Sequence, residues 1–229
     1  MIKENVAAIL EELPVGVDLV GAVKMRTAYE VNQAICGGLK IIGHNYIREA
    51  QDMYGQIKPV RWHFIGHLQQ NKAKKAVEMF DMIETVDSLE LAQSLNRYSI
   101  QASKTIDVLI EINSAAESNK SGVLPEQAIE IIKDISVLPN VKIKGLMTMG
   151  PAYTTPQDLR PYFVTTKALF EQVKAMHITN VDMQVLSMGM SDSYKEAIAE
   201  GATIVRIGSA IFGPRSYIHA ETPPLENHR

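Results

Sequence analysis

Short runs of Val, Ile and Leu, each closed by glycine, proline or polar residues, recur along the chain, and each is followed by a stretch whose apolar residues fall at helical spacing. The runs read as strands at Val17 to Val23, Leu39 to Gly43, Val60 to Ile65, Met82 to Val86, Ile106 to Ile112, Ile143 to Met147, Met183 to Leu186 and Thr203 to Ile207. The stretches between them are amphipathic, as in Leu89, Leu91, Ala92, Leu95 and Tyr98, or Ala128, Ile129, Ile131, Ile132 and Ile135. Strands apolar on both faces and separated by helical crossovers predict a parallel sheet covered by helices. Eight such units in 229 residues predict closure into a single (β/α)8 TIM barrel, a compact example of an architecture that usually takes about 250 residues. The competing architecture, an open doubly wound sheet, lacks its usual mark. The first strand runs into Lys24-Met25-Arg26-Thr27 instead of a G-x-G-x-x-G turn, and no linker divides the chain. One domain is expected over residues 1–221. A helix at Val6 to Leu13 should precede the first strand and cap the barrel, and residues 222–229, from Thr222-Pro223-Pro224, read as a disordered tail.

Charge narrows the function more than the fold. With 23 basic and 26 acidic side chains, a net charge of −3 and no basic block, the chain has no footprint for nucleic acid or an anionic membrane, and Lys72, Lys74 and Lys75 read as a solvated helix face. No apolar stretch reaches the ~18 residues of a membrane span. The start, Met1-Ile2-Lys3-Glu4-Asn5, leads into an amphipathic segment, and the single Cys36 supports neither an intramolecular disulfide nor a zinc site, so a cytoplasmic location is expected.

Barrels of this kind build their sites at the carboxyl ends of the strands, which gives weight to polar residues there. Lys24 ends the first strand, where desolvation at the barrel mouth would free its amine for Schiff-base chemistry; the plain alternative is a solvated strand-end lysine. After the last strand, Gly208-Ser209 offers backbone N–H groups and a hydroxyl, the equipment of an anion site, and Ser191 in Ser187-Met188-Gly189-Met190-Ser191-Asp192 adds a second such turn after strand seven. Ser191 or Asp192 alone reads as a helix N-cap. Arg206 lies within an apolar strand and needs a partner, for which a structural ion pair is the plain account. His63 and His67 read as core or loop histidines and not as metal ligands, and Met147, Met149, Met188 and Met190 read as barrel filling. Asn113 to Gly122 is a polar loop on the functional face.

Several motifs in order resemble a known family, the pyridoxal phosphate homeostasis proteins, single-barrel relatives of the alanine racemase N-terminal domain. They are Lys24, Gly43-His44-Asn45-Tyr46, Trp62-His63-Phe64-Ile65-Gly66-His67-Leu68-Gln69-Gln70-Asn71-Lys72, the loop Asn113 to Gly122, Gly145-Leu146-Met147-Thr148-Met149, Ser187-Met188-Gly189-Met190-Ser191, and Val205-Arg206-Ile207-Gly208-Ser209 to Ile211-Phe212-Gly213. The resemblance implies pyridoxal 5′-phosphate held as a Schiff base on Lys24, with Asn45 near the ring, Arg206 facing the pyridine nitrogen, and Ser191, Gly208 and Ser209 around the phosphate. Val23 stands where the family usually has Ser, and His44 where it usually has Glu.

An arginine cannot accept a proton, so a ring facing Arg206 stays unprotonated and is a weak electron sink. Racemisation also needs an acid or base on each face of the substrate carbon, and racemases take one of them from a second domain that is not recognised here. The resemblance therefore implies a non-enzymatic carrier in vitamin B6 homeostasis, with no catalytic residues and no metal. It is expected as a monomer that hands the cofactor to apoenzymes. An amino-acid racemase, or a Schiff-base aldolase acting through Lys24 on a phosphorylated sugar, are the alternatives.

Overall fold

A computed structural model of the chain describes residues 1–118, 120–151 and 155–214. Eight strands, β1 (Asp18–Ala22), β2 (Ile41–His44), β3 (Arg61–Phe64), β4 (Met82–Val86), β5 (Ile106–Glu111), β6 (Val141–Met147), β7 (Val181–Ser187) and β8 (Ile204–Ile207), pair in parallel in chain order. Because β1 also pairs with β8, with Val20 level with Arg206, the sheet closes on itself. Each expected run overlaps one of these strands, with ends that differ by no more than two residues; β2, β6 and β7 extend beyond theirs.

Alternation along each strand divides the apolar residues between two cores. Val20, Ile41, Ile65 and Ile204 pack together inside the barrel with Ala22 and Val185, and Met82, Leu109 and Met147 form a second inner cluster. Their neighbours Leu19, Ile42, Ile83, Val108, Leu146 and Val205 face outward into a larger shell. That shell is shared with the helices α2 (Ala28–Cys36), α3 (Ile47–Met53), α4 (Ala73–Met79), α5 (Leu89–Gln101), α6 (Ala128–Ser136), α7 (Pro156–Ala175), α8 (Tyr194–Ala199) and α9 (Ser209–Phe212).

The first helix, α1 (Ile2–Glu12), starts earlier than its apolar spacing predicts and does not lie across a barrel end. Val6 and Ile9 join the outer shell, Asn5 donates to the Ile211 carbonyl at 2.9 Å, and Glu12 accepts from Tyr194 at 2.8 Å. The reason is the length of α9. Four residues cannot fill the last place in the ring, and α1 occupies the space between α8 and α2. Of the four methionines expected as filling, only Met147 lies inside the barrel. Met188 belongs to the outer shell, and Met149 and Met190 are exposed. Among the described residues no helix is long and apolar enough to cross a membrane. The proposed tail at 222–229 lies outside the described residues.

Candidate functional site

At the carboxyl ends of β1, β2, β7 and β8 the fold gathers the residues singled out in the sequence. Lys24 lies two residues beyond β1 and is half-buried, with Nζ 5.1 Å from the centroid of the Tyr46 ring. The chain stays on the sheet up to that point because the Val23 amide still donates to the Gly43 carbonyl at 3.0 Å. Asn45 follows β2 directly. Its backbone is clasped by Gly66 after β3, where even one Cβ would come within 2.2 Å of the Asn45 carbonyl oxygen, so only glycine permits the approach.

Gly208 rests against the last residue of β1, a Cβ there lying 3.4 Å from Ala22. The amides of Gly208 and Ala210 converge on the Ser191 hydroxyl at 3.3 and 3.5 Å, and Ser209 opens α9 at the surface. The N-cap of α8 is Ser193, so neither Ser191 nor Asp192 has the capping duty expected of one of them. The turn bends sharply through Gly189 at φ +89°, where a Cβ would strike Ala197 at 2.6 Å.

Arg206 points into the barrel and is 4% exposed. In place of the expected ion pair, Nη1 donates to the Ser187 hydroxyl at 2.6 Å and Nη2 to the Thr148 carbonyl at 2.8 Å. Ser187 in turn donates its hydroxyl hydrogen bond to Glu84 Oε2 at 2.6 Å, and Glu84 Oε1 lies 2.7 Å from His63 Nδ1. A polar layer thus crosses the lumen below the mouth, from β3 and β4 to β7 and β8. Burial pushes the Glu84 carboxyl up, but His63, Arg206 and Ser187 outweigh it and hold the group below the ordinary carboxylate range. The same burial lowers Arg206 against the opposing pull of Glu84 and Glu111. Glu111, at the end of β5, is pushed up to about 7 by burial and then by Asp87. Sequence reasoning flagged Arg206 but passed over Glu84 and Glu111, although each shows the same signal, a charged residue inside an apolar strand.

His63 is buried in this layer, and His67 is a loop residue bonded to Ser121 at 3.0 Å and facing Asp87 at 3.6 Å. Among the described residues no three His, Cys, Asp or Glu side chains are grouped to hold a metal. The two positions that depart from the resembled family face away from the site. Val23 is buried in the outer shell, and His44 stacks on Trp62 at 4.8 Å outside the barrel.

The family described as the alanine racemase N-terminal domain matches residues 1–216. The pyridoxal phosphate homeostasis protein of Aquifex aeolicus is 39% identical over 201 residues, 87% of each chain. That of Pasteurella multocida is 37% identical over 205 residues, 88% of each. The structure of PipY from Synechococcus elongatus with PLP bound superposes with a TM-score of 0.86 at 30% identity, covering 93% of this chain and all of that one. An alanine racemase of Clostridium difficile, 13% identical, shares the fold alone, with a TM-score of 0.81 over 94% of this chain and 57% of its own. With a closed parallel barrel and identity of this order over most of its length, the chain belongs to the alanine racemase N-terminal domain family and, within it, to the pyridoxal phosphate homeostasis proteins.

Proposed function

We propose that this chain binds pyridoxal 5′-phosphate at the barrel mouth and acts as a carrier in cofactor homeostasis, with Lys24 as the attachment point. The observation that carries the reading is the meeting of three kinds of group at one end of the barrel: an amine at Lys24, two backbone amides converging on Ser191, and the buried guanidinium of Arg206. The donor set fits the cofactor. The Gly208 and Ala210 amides are held only by long bonds to one hydroxyl, and such amides bind an anion more strongly than a neutral oxygen. Bound pyridoxal phosphate supplies an aldehyde that condenses with a primary amine. Lys24 offers that amine, Ser191, Gly208 and Ser209 hold the phosphate, and Asn45 borders the ring. Arg206 has its donors committed to Ser187 and Thr148, stays positively charged, and has no lone pair with which to accept a proton. A guanidinium facing the pyridine nitrogen offers the ring no proton-holding partner such as a carboxylate, so the ring stays a weak electron sink, which favours carriage over turnover. The proposed setting is the cytoplasm, as a monomer, with cofactor-accepting apoenzymes as recipients.

Borohydride reduction of the loaded protein, followed by peptide mass spectrometry, is expected to place the adduct on Lys24. Lys24→Ala is expected to lose the visible absorption and keep its circular dichroism. An adduct on Lys72 or Lys120 overturns the site. Alanine racemisation at ordinary enzymatic rates, on the order of 1 to 1000 per second, overturns the carrier reading.

A further inference from the structure

Beside the proposed cofactor site, a cavity of about 270 Å³ opens between the ends of β2 to β6, bordered by Asn45, His67, Thr85, Glu111, Ser114 and Lys120. Nearly all of its polar side chains are already committed. Thr85 donates to the Gly66 carbonyl, Ser121 meets His67, Ser114 meets Thr148, and Asn113 is bonded through both ends of its amide to the loop that follows. Lys120 pairs with Glu117 and donates to the Gly150 carbonyl at 3.0 Å. Two side chains of the lining have no hydrogen-bond or ion-pair contact among the described residues, Asn45 and Glu111. Glu111 is the unusual one, because it is 96% buried and lines the cavity as a carboxyl with neither a hydrogen bond nor an ion pair. An ionised carboxylate in that position is costly unless a ligand supplies the missing charge.

We propose that this cavity is a binding site for a primary ammonium group, that of the amine which takes over the carried cofactor, with the Glu111 carboxylate as its counter-ion. The identity of the amine as acceptor rests on the carrier reading above, whereas the ammonium site itself does not. An anion would meet Glu111 with Asp87 behind it, and a neutral ligand would leave the carboxylate with no contacting counter-ion, Arg206 acting on it only through space. An ammonium removes the charge deficit and forms a charge-assisted hydrogen bond. The volume suits a short alkyl chain, below the usual ~300 to 1000 Å³ of a drug-sized site. The charged groups around Glu111 are Asp87 and His67 from the β3 and β4 ends, Arg206 from β8, and Lys120 from the loop after β5. Since burial and Asp87 raise the carboxyl to about 7, the site is charged at pH 8.5 and neutral at pH 5.5, and ammonium affinity should rise with pH between them.

The test is thermal unfolding of the full chain, stripped of cofactor, with propylammonium chloride against sodium chloride at equal ionic strength. Wild type should show a saturable rise in melting temperature at pH 8.5 that is at least tenfold weaker in midpoint at pH 5.5. Glu111→Gln, of the same shape without the charge, should show no rise at either pH, and Glu111→Asp should retain a weaker one. Because no cofactor is present, failure here is separate from failure of the Lys24 assignment. A decapeptide with one lysine, blocked at its N-terminus, distinguishes the sources: saturation by it assigns the site to protein lysines, and saturation by propylammonium alone assigns it to free amines. No saturable rise in wild type, or the same rise in Glu111→Gln, overturns the proposal.

Discussion

Both ring nitrogens of His44 are buried without a hydrogen-bond partner, against Trp62 at 4.8 Å and Phe80 at 6.1 Å. Protonating that ring would place a bare charge among aromatic side chains, so burial holds its pKa down to about 4. The unfolded chain protonates near 6.5, so the group favours the folded state fully above about 6.5, and this contribution is lost as the pH falls toward 4. The full loss is roughly 3 kcal/mol. Urea midpoints measured at pH 7 and pH 4.5 should therefore fall more steeply for wild type than for His44→Phe, and equal slopes would remove His44 from the acid sensitivity. At this scale the sequence was legible for charge and blind to direction. Lys24 and Arg206 stand out from their apolar surroundings by type alone. Whether His44 and Val23 belong to the site depends on which face of the strand each occupies, and residue type does not settle that.

Among elements, the turn from β7 and the short helix α9 form one unit through Ser191, whose hydroxyl accepts from the amides of Gly208 and Ala210. A charge-assisted hydrogen bond contributes about 1.5 to 3 kcal/mol, so losing two hydroxyls at the proposed phosphate site should exceed a factor of ten. Ser191→Ala with Ser209→Ala should weaken pyridoxal phosphate binding at least tenfold in equilibrium titration and leave pyridoxal, which has no phosphate, almost unaffected. Parallel losses for both ligands would remove the anion role from this turn. All eight strands were legible because each carries a short apolar run bounded by turn or polar residues. The place of α1 was not. It follows from the four-residue length of α9, a gap that only the closed ring reveals.

At the scale of the whole molecule, the layer of His63, Glu84, Ser187 and Arg206 lies inside a barrel whose other inward residues are largely apolar. Its members come from strands far apart in sequence, and each satisfies the next only when β3, β4, β7 and β8 sit at their native heights. Sliding one strand by a single residue turns its inward side chains outward. Glu84 or Arg206 would then enter the hydrocarbon shell beneath the helices without a partner, while the apolar residues alone would tolerate the exchange. The layer is therefore expected to penalise misaligned closures more than it strengthens the correct one. Exchanging all four for apolar residues, with His63→Leu, Glu84→Leu, Ser187→Ala and Arg206→Met together, should leave equilibrium stability within about 2 kcal/mol of wild type. The same change should add slow refolding phases and broaden the amide resonances of the strands. A quadruple variant that refolds in one phase to a sharp spectrum would show that shape alone sets the alignment of this barrel.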